Sequence, residues 1–208
     1  MSRYITLFIG ISVVISLIYI AGYKKNIKIM KQMAETLEKT FSPKDKLYTY
    51  LGGVLGFIAE YKIEGFEKVS VTLRLIPRQS ALYLPFMFIT SGKDSLQIMF
   101  YTKKPIASEF HIIKESPLKL TKPKIYNRDK LKSEKIETEG LRYEILKDDN
   151  HYEKFMDFVK LFDKKQFNHL AITKENSIVY VNLLFYKMDY DQLENSLKKA
   201  VNFIQTAI

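Results

Sequence analysis

The stretch that decides the fold spans residues 4–33 and reads YITLFIGISVVISLIYIAGYKKNIKIMKQM. It carries no charge from Tyr4 to Tyr23, and four lysines follow within the next eight residues. A helix of about 20 residues rises by roughly 30 Å, which matches the hydrocarbon core of a bilayer. We therefore predict a single transmembrane anchor at residues 1–23.

Two other structures compete with an anchor. A cleaved export signal has a shorter apolar region and a small-residue cleavage site, which residues 20–22 (Ile-Ala-Gly) match poorly. The first core helix of a soluble domain would keep a polar face toward water, and no polar face interrupts this run. Only Arg3 and the amino terminus precede the run, so the positive-inside rule predicts an outside N-terminus and a cytosolic main domain. The membrane would be the cell membrane or that of the endoplasmic reticulum.

Residues 24–43 are predicted to form a juxtamembrane amphipathic helix. Its apolar residues recur at spacings of three and four. They are Ile27, Met30, Met33, Ala34, Leu37 and Phe41. Pro43 disfavours helical backbone in the residue before it, so the helix should end there. The apolar stripe either docks on the following domain or lies along the membrane surface.

Residues 44–208 are predicted to form a cytosolic α+β domain. Residues 69–75 alternate apolar and polar side chains, as in a half-buried strand, and Glu64-Gly65 supplies a tight turn before them. Further strands are predicted at LRYEILKD, FNHLAIT and IVYVNLLF, with a helix at HYEKFMDFVKLF and a last helix capped by Asp189. A basic, irregular connector is expected at residues 114–137. The whole is an anchor and an amphipathic helix followed by a mainly antiparallel sheet with packed helices.

The sequence offers no recognisable catalytic chemistry. Cysteine is absent, and no phosphate-binding loop, dinucleotide fingerprint or nucleophile elbow occurs. His111, His151 and His169 lack the spacing of metal ligands and are expected in ordinary surface or half-buried positions. Asp148 and Asp149 are interpreted as a helix N-terminus, where acids complement the dipole. We expect no enzyme activity, cofactor or metal, although a membrane-bound enzyme without an identifiable catalytic residue stays open.

Two surfaces carry a functional interpretation beside a structural one. The apolar run at residues 81–89 is favoured as core, and otherwise contacts the membrane interface or a membrane-protein partner. Its contact residues would be Leu82, Leu84, Phe86 and Phe88. The net charge of +10, from 33 basic and 23 acidic residues, suits an anionic lipid surface or ribosomal RNA. The candidate basic surface comprises Lys24, Lys25, Lys28, Arg74, Arg78, Lys122, Lys124, Lys130 and Lys132; its alternative is a solvated face.

Residues 64–85, EGFEKVSVTLRLIPRQSALYLP, resemble the cytosolic domain of the calumin family. These are the coiled-coil-containing proteins of the endoplasmic reticulum PAT complex, in the multipass translocon. The family shares one membrane span, an amphipathic helix, and a strand that ends in Leu-Arg-x-x-x-Arg-Gln before an apolar helix. Leu73, Arg74, Arg78 and Gln79 match that signature here, and Glu64-Gly65 matches the preceding turn.

The resemblance implies a minimal relative of the family, such as an archaeal one. The family's acidic luminal segment and its basic C-terminal coiled coil, which reaches the ribosome, have no counterpart in this sequence. The match therefore implies membrane-protein partners more than ribosome contact. The expected function is a non-enzymatic scaffold or chaperone factor for multipass membrane-protein insertion, near the Sec translocon and an insertase of the Oxa type. The alternative is a membrane-tethered module for anionic lipid or ribosomal RNA.

Overall fold

The computed structural model describes residues 3–89, 92–115, 123–138, 140–148 and 153–207, without the side chains of residues 88, 89, 153, 154 and 207. The helices are α1 (Arg3–Phe41), α2 (Leu84–Ile89), α3 (Glu153–Val159) and α4 (Tyr190–Ala207), with a short 3-10 helix at Arg128–Lys130. The strands are β1 (Asp45–Tyr50), β2 (Gly56–Lys62), β3 (Phe66–Arg74), β4 (Asp94–Thr102), β5 (Phe110–Lys114), β6 (Lys132–Thr138), β7 (Leu141–Lys147), β8 (Phe167–Thr173) and β9 (Ile178–Phe185).

The nine strands form one sheet in the order β1-β2-β3-β4-β9-β8-β5-β7-β6. Every pairing in it is antiparallel. Alternate residues of the central strands, such as Val71, Ile98 and Val181, are buried in one core together with residues of α1, α3 and α4. The α+β class and the antiparallel sheet are thus confirmed. The predicted strands FNHLAIT and IVYVNLLF coincide with β8 and β9.

Helix α1 runs without a break through both predicted N-terminal segments. Its buried residues begin only at Gly22 and then follow one stripe at spacings of three and four, because each turn of a helix returns to the same face after 3.6 residues. They are Gly22, Asn26, Met30, Met33, Leu37 and Phe41, with Thr36 beside them. The helix ends where Ser42 adopts a left-handed φ of 41° and donates its N–H to the Glu38 carbonyl at 2.9 Å.

Two strands at the edges of the sheet lie where the sequence predicted none. β1 follows Pro43 directly, and β6 occupies Lys132–Thr138 at the C-terminal end of the connector that we predicted to be irregular. That prediction is wrong for these residues, because β6 pairs with β7 along its entire length. Both edge strands are largely exposed, so neither has the apolar alternation by which a strand is recognised.

The start of the last helix agrees with its prediction. Asp189 precedes α4, and its Oδ1 accepts a hydrogen bond from the backbone N–H of Gln192 at 3.0 Å. This contact satisfies one of the backbone donors that a helix leaves free at its first turn. One face of α4 is buried through Leu193, Leu197, Ala200 and Ile204.

Candidate functional site at the junction of helix and sheet

Helix α1 has two halves with opposite surroundings. Between Arg3 and Ala21 its side chains are exposed almost throughout; Phe8, for example, is 74% exposed. The Ser12 hydroxyl donates to Phe8 O at 2.9 Å, and the Ser16 hydroxyl donates to Ser12 O at 2.8 Å, each one turn back along the helix. Because both hydroxyls are satisfied by the helix backbone, the outer surface of this half is apolar. Within the part of the chain that the structure describes, α1 is the one helix long and apolar enough to cross a membrane.

The apolar half ends at a close backbone contact. A Cβ atom at Gly22 would overlap the backbone carbonyl of Arg78 and would lie 2.5 Å from the backbone nitrogen of Gln79. Real Cβ atoms do not approach backbone this closely, so only glycine allows the loop after β3 to lie directly on α1. The domain therefore contacts the helix at Gly22, one residue before Tyr23, which is the last uncharged residue ahead of the lysines.

A buried polar cluster fixes the next turn of α1 to the same loops. The Asn26 side chain is fully buried; its Nδ2 donates to Val54 O at 3.0 Å and to Ile76 O at 2.9 Å. Its Oδ1 accepts from Arg78 Nη1 at 2.9 Å. Each of these groups would be costly to bury without a partner, so the cluster favours one orientation of helix and domain.

Asp94, at the start of β4, completes this cluster. Its side chain is fully buried and accepts from Arg78 Nη1 at 2.9 Å and from Nη2 at 2.5 Å. Asp94 Oδ1 also accepts from the backbone N–H of Ile76 at 3.0 Å. Arg78 was predicted on the exposed basic surface, and this prediction is wrong. Its side chain is 10% exposed because its guanidinium group pairs with a carboxylate that has no access to water.

Further along, α1 is held by a chain of hydroxyl contacts. Glu38 Oε1 accepts from the Tyr48 hydroxyl at 2.9 Å, and the hydroxyls of Tyr48 and Tyr61 lie 2.7 Å apart. Burial raises the pKa of Tyr48, and it raises the pKa of Tyr61 to about 12. Both phenols thus stay neutral at physiological pH and act as hydrogen-bonding groups. Edge strand β1 is in this way attached to the buried half of the helix.

Among residues 81–87, the part of the apolar run whose side chains the structure describes, none is buried, contrary to the favoured prediction of core. Leu82 is 88% exposed and Phe86 is 66% exposed, while Leu84 is half-buried and the side chain of Phe88 lies outside the described residues. The segment is nevertheless ordered by backbone hydrogen bonds, from Leu84 N to Ser80 O at 3.3 Å and from Met87 N to Tyr83 O at 3.0 Å. The structure thus presents large apolar side chains to the outside on a short helix.

These side chains lie at the end of the sheet that meets Gly22. Strand register places Gly56 opposite Arg74, Arg74 opposite Ser95, and Asp94 opposite Phe185, so these strand ends form one row. We call this row the proximal end, and we call the row with Thr102 and Ile178 the distal end. Two more exposed aromatic residues, Tyr50 and Tyr186, stand at or next to the proximal end. Lys93 Nζ lies over the Tyr186 ring, 5.2 Å from its centroid.

The predicted basic residues do not form one surface. Lys24, Lys25, Lys28 and Arg74 are exposed near the proximal end. Lys124, Lys130 and Lys132 are also exposed, but Lys132 lies on β6, at the edge of the sheet opposite β1. Six strand spacings of about 4.8 Å separate β6 from β3, the strand that ends in Arg74, roughly 29 Å along the sheet. Lys122 lies outside the described residues.

A cavity of about 390 Å³ occupies the distal end, lined in part by residues 123–127 of the connector. It contains His111 and His169, whose ring centroids lie 5.9 Å apart although no sequence pattern associates the two. Burial lowers the pKa of His111, despite an opposing contact between its Nε2 and Glu109 Oε1 at 3.1 Å. Among the residues described, no three His, Cys, Asp or Glu side chains are grouped to hold a metal ion.

Sequence reasoning did not identify Asn26 and Asp94, the two polar residues that organise the junction. The sequence does contain a signal for Asn26, because Gly22, Asn26 and Met30 are spaced by four residues and thus share one helix face. Asp94 lies 68 residues further along the chain, and its role depends on a loop contact that no local pattern encodes. Comparison with family models and with curated proteins gave no match.

Proposed function

We propose that this protein is a single-pass membrane scaffold that assists the insertion or folding of multipass membrane proteins. The observation that carries the proposal is the junction: α1 passes unbroken from its exposed apolar half into the domain. There Gly22 and Asn26 lock it against the loops around Ile76 and Arg78.

A rigid junction has a specific consequence for function. A flexible tether is sufficient to concentrate a binding domain at a membrane, because it raises the local concentration without fixing an orientation. A continuous helix fixes both the height and the rotation of the domain relative to the span. Such control supports a role in holding one partner within the bilayer and another at its surface.

The proposed orientation has the N-terminus outside and the domain in the cytosol. It is supported by the exposed Lys24, Lys25 and Lys28, which follow the apolar half directly. Protease added to intact cells is expected to leave the domain uncut, and protease added to permeabilised cells to digest it. Digestion in intact cells would overturn the orientation and the function with it.

The proposed partners are the Sec translocon and an insertase of the Oxa type, as the calumin-like signature at Leu73–Gln79 implies. Photo-crosslinkers at Ile11, on the apolar half, and at Leu47, exposed on edge strand β1, would sample the two levels that a scaffold occupies. We expect both positions to capture insertion machinery or nascent membrane protein in native membranes. A crosslinker at Tyr126, on the distal cavity loop, serves as the exposed control. Recovery of lipid alone from Ile11 and of nothing specific from Leu47 would contradict the proposal.

A membrane-tethered module for anionic lipid or ribosomal RNA is the second candidate. The exposed lysines next to the apolar half favour it, since each lysine near an anionic surface contributes about 1 kcal/mol. Binding of ribosomes to the full chain in neutral nanodiscs should then fall steeply with salt. Neutralising Lys124, Lys130 and Lys132 would test the connector as the contact, and an unchanged affinity would exclude that surface.

A further inference from the structure

The segment at residues 80–89 forms a second exposed apolar surface within a few residues of α1. Gln79 lies against Gly22, and Leu82 follows three residues later, at most about 11 Å further along an extended chain. Gly22 is also the position at which the exposed apolar half of α1 ends. The exposed side chains of Leu82, Tyr83 and Phe86 are thus close to the level at which the helix would leave the hydrocarbon.

The segment has one face on the domain and one face outward. A Cβ at Gly92 would lie 3.0 Å from Met87 Cγ and 3.6 Å from Ile76 Cγ2, so the Met87 side chain reaches in toward the loop after β3. Leu82 and Phe86 are four residues apart, and a helical hydrogen bond from Leu84 N to Ser80 O already joins the turn that contains Leu82. Side chains at this spacing share a face, which here is the exposed one.

The composition of the proximal end fits a lipid headgroup boundary. Tyrosine rings favour the interface of a membrane, where the ring is apolar and the hydroxyl remains hydrated. Tyr50, Tyr83 and Tyr186 are all exposed there, and Lys93 lies next to the Tyr186 ring. Apolar side chains beside cations are typical of protein surfaces that enter the outer part of a bilayer.

We propose that residues 80–89 are a second membrane contact, in which Leu82, Tyr83 and Phe86 enter the interfacial layer of the bilayer that α1 spans. The proposal rests on the anchoring by α1 stated above. Its occupant is phospholipid, because the surface is continuous with the point at which the apolar helix ends. Two contacts on one rigid body fix the tilt of the sheet relative to the membrane, which one helix alone does not.

Tryptophan fluorescence tests this contact without background, because the chain contains no tryptophan. Leu82→Trp, Phe86→Trp and Tyr126→Trp variants of the full chain are reconstituted in phosphatidylcholine–phosphatidylglycerol vesicles that carry bromine in the upper acyl chains. We expect blue-shifted, strongly quenched emission from positions 82 and 86. Emission from position 126, 91% exposed at the distal end, should remain unquenched.

If bromine quenches positions 82 and 86 no more than it quenches position 126, the second contact is overturned. Protection from aqueous acrylamide without bromine quenching would also overturn it, because a protein partner or a second copy would then cover the face. A Val14→Trp variant distinguishes the two proposals. If bromine deep in the bilayer quenches position 14 while positions 82 and 86 remain unquenched, only the second contact is rejected. If position 14 is not quenched either, the anchor and the second contact are rejected together.

The absence of cysteine from the sequence provides an independent readout. Single Leu82→Cys and Tyr126→Cys variants, each labelled with a nitroxide, report collision with oxygen in the lipid and with a nickel chelate in the water. We expect position 82 to favour oxygen and position 126 to favour the chelate. Equal accessibility to the chelate at both positions would overturn the proposal even if one tryptophan variant failed to fold.

Discussion

A single methyl group added at Gly22 should disrupt the packing of α1 against the domain. A Gly22→Ala change places a Cβ into the backbone of Arg78 and Gln79, and overpacking of this kind costs about 1–3 kcal/mol. The gain in helix propensity of about 1 kcal/mol offsets only part of that. We expect a lower free energy of unfolding, measured by urea titration in detergent micelles.

Gly10 is a matched control for this change. It lies in the same helix, and a Cβ added there would meet none of the described residues within 4 Å. Gly10→Ala should therefore leave the unfolding midpoint unchanged or raise it slightly. Equal effects of the two substitutions would contradict the close contact at Gly22.

Asp94 is the buried carboxylate on which the Arg78 pair depends. Asp94→Ala leaves the Arg78 guanidinium buried without its anion and the Ile76 N–H without its acceptor. Removal of one partner of a buried ion pair costs about 3–5 kcal/mol, so the urea midpoint should fall sharply. Adding Arg78→Met to Asp94→Ala should recover part of the loss, since no unpaired charge then remains. A double variant no more stable than Asp94→Ala would contradict this account.

His111 should make the stability of the domain depend on pH. Burial lowers its pKa in the folded state below the ordinary 6.5, and the positive charge of Arg128 acts in the same direction. Below about pH 6.5 the unfolded chain binds a proton that the folded chain excludes, so stability falls as the pH falls toward the folded-state pKa. The slope reaches at most about 1.4 kcal/mol per pH unit for one group.

The variant His111→Gln separates this effect from other titrations. Urea unfolding between pH 7.5 and pH 5 — about the window of histidine titration — should show a shallower loss of stability in the variant than in the natural chain. Parallel curves would mean that His111 is protonated equally in both states.

At the scale of the element, the cap of α4 offers the most direct test. Asp189→Ala removes the acceptor for Gln192 N–H and should lower the free energy of unfolding by about 1 kcal/mol. Asp189→Asn retains a capping oxygen and is the control, with an expected loss of a few tenths of a kcal/mol at most. Native-state hydrogen exchange in the first turn of α4 measures the local effect. An unchanged exchange rate in Asp189→Ala would rule out the cap as a determinant of that turn.

The sequence predicted well the elements with a regular pattern of apolar residues, which recur at every second position in a strand and at every third or fourth position in a helix. β9 buries every second side chain, whereas β8 buries all but its last, and the bounds of both strands coincide with those predicted. β1 and β6 are edge strands whose side chains are mostly exposed. β6 is in addition rich in charge, with two lysines and two glutamates among its seven residues, a composition that protects edges against aggregation. That same composition removes the period of two by which a strand is recognised.

The candidate site is only partly predictable from the sequence, for a related reason. The apolar run identifies Leu82 and Phe86, yet hydrophobicity alone favours burial, and only the fold places these residues outside. The sequence predicts Arg78 as a surface charge because its partner, Asp94, is distant in sequence and belongs to the next strand. Contacts between loops of different strands are set by the complete topology, which local periodicity does not contain.

At the scale of the whole molecule, the proposals treat the span, the junction and the sheet as one rigid body. The buried stripe from Gly22 to Phe41 and the cluster of Asn26, Arg78 and Asp94 carry that rigidity. The lipid contact at residues 80–89 would add a second constraint on tilt. A scaffold needs the rigid junction, whereas a tethered module does not, so the two functions respond differently when the rigidity is removed.

Insertion of a flexible Gly-Ser-Gly-Ser segment between Ile20 and Ala21 removes the coupling and leaves the junction at Gly22 intact. The domain should unfold at the same urea concentration as the natural chain, because the insertion lies outside the buried stripe. Under the scaffold proposal, crosslinking of Leu47 to insertion machinery should fall strongly, since the domain no longer holds one rotation relative to the span. Insertion of Ala-Ala-Leu-Ala at the same place keeps the helix and turns it by about 40°, so this control should retain more crosslinking than the flexible insertion. Full crosslinking in the flexible variant would contradict the scaffold and favour the tethered module.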